Sequence, residues 1–320
     1  MDLPIELRQA LESLTTGHSQ HDVVRASQAL SRRYRDAANA PEQAAVQRND
    51  DVVAYITSRM PATWAALYAA MSTARDQVPA MGVRTHLDVG SGPGTATWAA
   101  RAVWPELAQV TALERSHAMV RTARELLRWM DEPPAVEWRQ GDAGLNIPTS
   151  SFDLVSVAYV LNEMPGTATA MIERLWDATG GLLLVIEPGT PDGFERIRQV
   201  RTQLIELGAR LAAPCPHERD CPMSGSNWCH FAQRVSRSSW HRRAKGGQLA
   251  YEDEKFSYVA ATRADVVPIA GRIVRHPTIR PGNIGVEVCA QQGLIQRTVS
   301  RRDREAYRAA QDLKWGSAIE

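Results

Sequence analysis

Hydrophobic positions change period along the chain. Over residues 1–80 they recur about every 3.6 residues, as in Leu3, Leu7, Leu11 and Leu14, then Val52, Val53, Ile56, Met60, Trp64 and Leu67. That spacing predicts a layer of amphipathic helices, punctuated by Pro41 and Pro61 and closed by Pro79. From residue 84 short apolar runs alternate with helical stretches. Strands are predicted over Thr85–Val89, Val110–Glu114, Val136–Gln140, Phe152–Val157 and Leu182–Glu187, and helices between them, for example Met119–Met130 and Ala168–Ala178. Such alternation implies parallel strands with crossover helices on both faces. Residues 210–247 interrupt the series with prolines, glycines, cysteines and arginines. Strand patterns then resume at Phe256–Ala261, Gly285–Ala290 and Gly293–Val299, the last two spaced like a hairpin.

The expected organisation is therefore a helical region over 1–80 and an α/β core over 81–209. A Cys/Arg-rich insertion over 210–250 follows, then strands over 251–300 that complete the core, and a tail over 301–320. With 44% hydrophobic and 23% charged residues the chain is not disordered. Its longest aliphatic run, Leu182 to Ile186, falls far short of the roughly 20 apolar residues that span a bilayer. The opening MDLPIELRQALESL has no basic, apolar or cleavage region of a signal peptide, so the expectation is a cytoplasmic protein without a membrane partner.

The net charge of +1 conceals a segregation. Residues 84–195 carry 8 basic and 15 acidic side chains, whereas residues 196–301 carry 17 basic and 8 acidic ones. Clustered cations of this kind suit a polyanion, unless the two halves neutralise each other in space.

The segment THLDVGSGPGTATWAARAVW, residues 85–104, reads strand, glycine loop, helix. Gly90, Gly92 and Gly94 allow close backbone approach and positive φ. A dinucleotide fingerprint G-x-G-x-x-G would need glycine or alanine where Thr95 stands, which counts against a nicotinamide oxidoreductase. The spacing D-x-G-x-G-x-G, with Asp88 before the loop, resembles the first motif of class I S-adenosylmethionine-dependent methyltransferases. That resemblance implies a Rossmann-like sheet and places Asp88, Gly90, Gly92 and Gly94 at the methionine and ribose part of the cofactor. By the same resemblance Glu114 accepts from the ribose hydroxyls, a carboxylate offering several lone pairs. Asp142 meets the adenine amino group and Ala143 backs the ring. The fourth strand end, AYVLNEM, lacks the Asn/Asp-Pro-Pro-aromatic signature of amino-nitrogen methyltransferases, and no cysteine stands there for a thiolate adduct. Asn162 and Glu163 are the catalytic candidates, with helix capping as the alternative.

All four cysteines follow residue 214, in the pattern C-x5-C-x7-C with Cys289 after 59 further residues. Cys215, Cys221, Cys229 and Cys289 suit a metal better than disulfides. Four thiolates hold either zinc or an iron–sulfur cluster, and the absence of a C-x2-C knuckle suits the larger object. His217 and His230 are substitute ligands; unconnected reduced thiols are the plain alternative. Around them, residues 231–247 contribute Arg234, Arg237, Arg242, Arg243 and Lys245 without an acid, and residues 271–286 contribute Arg272, Arg275 and Arg280. Such density suits phosphate contacts, with Trp228, Phe231 or Trp240 available to stack on an unpaired base.

The glycine-loop core, the cysteine spacing, the WCHFAQRVSR run and Cys289 before a glycine-led hairpin together resemble one family over roughly residues 50–300. It comprises the methyltransferase-like assembly proteins of the small ribosomal subunit, whose mitochondrial member is methyltransferase-like protein seventeen. The resemblance implies a four-iron, four-sulfur cluster on the four cysteines and association with 16S ribosomal RNA. It implies either an rRNA methyltransferase or a non-catalytic assembly or translation factor. A small-molecule methyltransferase fits the core but leaves the basic insertion unexplained.

Overall fold

The computed structural model describes residues 1–36, 49–141, 146–163, 168–244 and 249–319. Among them, four α-helices precede the first strand: α1 (Ile5–Thr15), α2 (Gln20–Asp36), α3 (Asn49–Ser58) and α4 (Met60–Gln77). The last is buried on nearly every side. Its Ala62, Ala65, Ala66, Ala70 and Ala74 let it lie close to the sheet while α3 covers its outer side.

The helix–strand series then follows as β1 (Thr85–Val89), α5 (Thr95–Val103), β2 (Gln109–Glu114), α6 (His117–Leu127), β3 (Ala135–Gln140), β4 (Phe152–Ala158), α7 (Ala168–Asp177), β5 (Thr179–Pro188) and α8 (Pro191–Glu206). The five strands pair in parallel in the order β3-β2-β1-β4-β5. Alternate residues of β5 feed two cores. Leu182, Leu184 and Ile186 pack towards α4 and α5, whereas Leu183 and Val185 pack towards α7 and α8. A continuous apolar run is what a strand covered on both faces requires.

Beyond β5 come β6 (Arg210–Ala213), β7 (Phe231–Ser236), α9 (Ser239–Ala244) and β8 (Tyr251–Thr262). The interrupted region thus holds regular elements of its own. One half of β8 runs antiparallel between β5 and β6, and its other half pairs with β7. The sheet order β3-β2-β1-β4-β5-β8-β6, with the reversed strand next to last, is the class I methyltransferase arrangement expected from the glycine loop. Residues 214–230 leave the sheet edge between β6 and β7, and three of the cysteines lie on that excursion.

The remaining strands, β9 (Gly271–Ile273), β10 (Thr278–Arg280), β11 (Asn283–Ala290), β12 (Gly293–Ser300) and β13 (Ala318–Ile319), form a second, five-stranded sheet. Of the strands expected to complete the core, only β8 does so. The hairpin of β11 and β12 is present, closed at Ala290↔Gly293. Residues 301–320 are more than a tail: α10 (Arg304–Gln311) covers the small sheet's apolar face, and β13 pairs with β9. No helix among the described residues is long and apolar enough to cross a membrane.

Candidate cofactor crevice and cysteine cavity

The glycine loop is a tight connection whose three glycines all have positive φ: 70° at Gly90, 53° at Gly92 and 80° at Gly94. A Cβ on Gly90 would lie 2.5 Å from Val160 Cγ2, so the loop rests directly on the end of β4. A Cβ on Gly92 would meet nothing within 4 Å, and this is the side left open for a ligand. The Gly92 and Ser116 amides donate to the two oxygens of Glu114, at 2.8 and 2.7 Å. The carboxylate at the end of β2 is thereby aimed across the loop with lone pairs to spare. Its burial raises its pKa.

Asp88 lies at the base of the same crevice and is buried. Its Oδ1 accepts from Ser156 Oγ at 3.2 Å, and Ser156 lies 2.8 Å from His86 Nε2. Because the serine proton goes to Asp88, the histidine must donate to the serine. Burial pushes the Asp88 carboxyl up to about 7, against the Ser156 hydrogen bond, and repulsion from Glu114 adds to the rise. Burial also lowers His86 to about 3, so it is neutral. This His–Ser–Asp chain has no linear signature, since the residues come from two strands paired only in the fold. An open glycine cradle flanked by the buried Asp88 and the partly buried Glu114 carboxylates fits a cationic sulfonium nucleoside with ribose hydroxyls. Asp142 and Ala143, the expected adenine contacts, lie outside the described residues.

Catalytic groups are sparse. Tyr159 follows β4 with φ 60°, left-handed backbone that a non-glycine residue rarely adopts. Its hydroxyl donates to Glu254 Oε1 at 3.2 Å, and burial holds its pKa well above the usual value, so it is no base. Asn162, in a 3-10 turn over Leu161–Glu163, has a buried Oδ1 without a hydrogen-bond partner among the described residues. The Glu163 side chain is outside the described set. Beneath the turn, fully buried Glu187 accepts from the Leu161 amide at 3.1 Å and from Arg196 Nε at 2.8 Å. This support for the turn was not anticipated from the sequence.

The four cysteines, dispersed in sequence, line one open-sided cavity of about 570 Å³ including its mouth. Cys215 follows β6 and Cys221 the prolines beyond it. Cys229 is fixed by neighbours: Ser257 Oγ donates to its carbonyl at 2.8 Å, and Trp228 Nε1 donates to Gly189 O at 3.0 Å. Cys289 comes from β11, in the other sheet. Burial raises the pKa of Cys221, Cys229 and Cys289, the last to about 12, and each is raised further by neighbouring thiols. His217 also lines the cavity, with Nε2 3.7 Å from Cys289 Sγ. His230 does not: it stacks on Trp228 and meets the edge of Trp315. Among the described residues no three His, Cys, Asp or Glu side chains are close enough to hold one metal ion. The side-chain positions therefore bear out neither the cluster nor the alternative zinc expected from the sequence.

A family model described as mitochondrial small ribosomal subunit Rsm22 matches residues 49–320. The chain belongs to the Rsm22 family. It is similar to human ribosome assembly protein METTL17, mitochondrial, with 31% identity covering 83% of this chain and 61% of that protein. It is also similar to the Rsm22-cox11 tandem protein 2, mitochondrial, of Schizosaccharomyces pombe, with 24% identity covering 86% and 44%. This Rsm22-family chain thus spans about half the length of the curated relatives it matches. Among solved structures, magnesium protoporphyrin IX methyltransferase of Synechocystis PCC 6803 with bound SAM aligns at 15% identity. The alignment covers 69% of this chain and 86% of that one, with a TM-score of 0.41.

The basic residues expected at a nucleic-acid surface are differently occupied in this Rsm22 fold. Arg272 is 3% exposed, donates to Pro214 O and Gly316 O, and faces the cysteine cavity. Arg275 holds Asn227 and the Trp228 carbonyl. Arg237 pairs with Glu252 in a largely buried bridge, and Arg234 pairs with Asp253 while covering the Tyr251 ring. The acids that neutralise the arginines of β7 arrive on β8, next to it in the sheet but distant in sequence. Arg242 and Arg280 are exposed; Lys245 and the Arg243 side chain lie outside the described set. Of the proposed stacking rings, Phe231 is in the core and Trp228 is stacked on His230.

Proposed function

We propose that this chain binds S-adenosylmethionine in the β1–β2 crevice, carries an iron–sulfur cluster on its four cysteines, and acts on the small ribosomal subunit through 16S rRNA. The observation that carries the reading is the convergence of Cys215, Cys221, Cys229 and Cys289 on one cavity within a methyltransferase-type chain of the Rsm22 family. Relatives named as ribosome assembly proteins support the partner. Four cysteines gathered on one cavity suit a cluster, which thiolates hold in sets of four. Anaerobic protein is expected to be brown, with visible sulfur-to-iron absorbance lost in Cys221→Ser. A colourless protein that takes up no iron contradicts the cluster.

In the crevice, Asp88 and Glu114 would hold the cofactor's charged and hydroxyl ends, while Gly92 leaves room for it. The bound cofactor supplies an electrophilic methyl group. At the β4 end the chain's own contribution is the Asn162 Oδ1, without a partner among the described residues, which can accept a hydrogen bond from an amine or hydroxyl nucleophile. Transfer of labelled methyl groups to 30S particles by the wild type, lost in Asp88→Asn and Asn162→Ala, supports an rRNA methyltransferase. Ribosome binding without incorporation supports the non-catalytic assembly factor instead.

For RNA contact, cations free of ion pairs count most. Besides Arg242 and Arg280, the exposed set includes Arg297 on β12, Arg301 and Arg302 in the following turn, and Arg304 and Arg308 on α10. They lie on the small sheet and its helix, partly in the segment read from sequence as a tail. Phosphate contact is the role such cations fill.

A further inference from the structure

Three arginines line the cysteine cavity, and with Arg198 paired to Glu195 at the exposed side of α8, two remain, from opposite halves of the molecule. Arg201, on α8, is 4% exposed. Its Nε donates to Cys215 Sγ at 3.3 Å, and its Nη2 to the carbonyls of His217 and Arg219 at 2.9 and 2.6 Å. Arg272, on β9, sits directly opposite Cys289 across the β9–β11 ladder, so both side chains project from the same face of the small sheet. Its Nη2 is buried with no hydrogen-bond partner among the described residues. Neither guanidinium meets a carboxylate among the described residues; their partners are carbonyls and one sulfur.

A buried guanidinium cannot shed its charge by losing a proton, and leaving it uncompensated costs several kcal/mol. Two in one cavity also repel. Something in the cavity must therefore carry negative charge. Four thiolates around a divalent metal, or around a four-iron, four-sulfur core in its 2+ state, carry two net negative charges, matching two guanidiniums. We infer that Arg201 and Arg272 are the counter-charges of an anionic tetrathiolate centre, one presented by the methyltransferase-type core and one by the small sheet. Assembling the centre then closes an electrostatic as well as a covalent link between the two sheets. The inference rests on the cysteine reading above, though not on which metal is present.

The test compares the wild-type chain with Arg201→Gln, Arg272→Gln and their lysine counterparts, all checked for folding by circular dichroism. In one arm, cobalt(II) is titrated under anaerobic conditions and followed by thiolate-to-metal charge-transfer bands. Each glutamine variant is expected to bind about tenfold more weakly or worse, because it loses a charge-assisted contact, and each lysine variant to recover much of the affinity. In the other arm, the cluster is reconstituted with ferrous iron and sulfide and its midpoint potential is measured. Loss of a positive charge favours the oxidised, less negative state, so the glutamine variants shift to more negative potential and the lysine variants return towards wild type. A purely structural arginine would change stability and leave the potential of the loaded protein unmoved. Folded glutamine variants with wild-type cobalt affinity and potential overturn the inference while the cluster reading stands. Wild-type protein that forms no cluster but binds cobalt refutes the cluster alone, and the cobalt arm then decides the arginines. Wild type that binds neither overturns both.

Discussion

Asp88 is ionisable yet sits where burial resists ionisation, and its function and its cost therefore vary together with pH. Its carboxyl titrates near 7 in the fold against an ordinary value of 3.8. A raised folded pKa means that the native state holds its proton longer than the unfolded chain does. Stability therefore declines as pH rises from about 4 to about 7, and the whole penalty is present above that. Asp88→Asn removes the penalty: its midpoint temperature should exceed wild type at pH 8 and match it near pH 4, read by thermal unfolding. Cofactor binding should run the other way, since a cationic ligand prefers the carboxylate. Wild-type affinity for S-adenosylmethionine is expected to rise between about pH 6 and about pH 8, and to be weak and flat in Asp88→Asn. A second contrast separates two glycines of the same loop. Gly92→Ala meets open space and suffers only the left-handed backbone, roughly 1–2 kcal/mol. Gly90→Ala adds the collision with Val160 and should lose more stability in urea unfolding, while cofactor binding should fall in Gly92→Ala as well, because its Cβ enters the space left for the ligand.

At the scale of elements, the junctions matter most. The β4 end is held from below by Glu187 on β5, which ties the Leu161 amide to Arg196 on α8. Glu187→Ala leaves that amide and guanidinium without their acceptor, a cost of about 1–3 kcal/mol. Loosening of the Leu161–Glu163 turn should appear as faster amide exchange there than at β1. The small sheet presents a different junction. Its β11 supplies Cys289, whereas the other three thiols leave from the edge of the main sheet. Metal loading should therefore slow amide exchange in β9 and β11 more than in β2 and β3, and Cys289→Ser should abolish that difference. Equal protection throughout would mean that the two sheets are fastened by packing alone.

For the whole molecule, charge segregation and RNA contact belong together. The basic half of the chain does not present all its cations: four of the eight nominated from sequence are engaged in ion pairs, carbonyl contacts or the cavity. On the proposed RNA-binding reading, exposed arginines on β12 and α10 take their place. Reversal of Arg304 and Arg308 to Glu should weaken binding to a 16S rRNA fragment. It should also lower the slope of log affinity against log salt by about 0.7 for each lost contact to single-stranded RNA. The double variant should keep its cofactor affinity, because the substituted residues lie on the small sheet's helix.

The boundary between what was legible and what was hidden follows from the range of each interaction. Period and turn chemistry are local, so β1 was placed to the residue and the β11–β12 hairpin was found. The glycine loop and its acids were equally visible, because each follows a strand that writes its own hydrophobic signature. The sequence by itself determined the doubly covered sheet and the glycine-loop crevice, and it showed the four late cysteines that the fold gathers on one cavity. Only the tertiary structure decided which cations remain free, because Asp253 and Glu252 reach Arg234 and Arg237 through strand pairing that no linear spacing records. It also decided that residues 271–319 build a sheet of their own, and that Arg201 and Arg272 stand among the thiols. Buried charge is placed by contacts between distant segments, and its partners cannot be read until those segments meet.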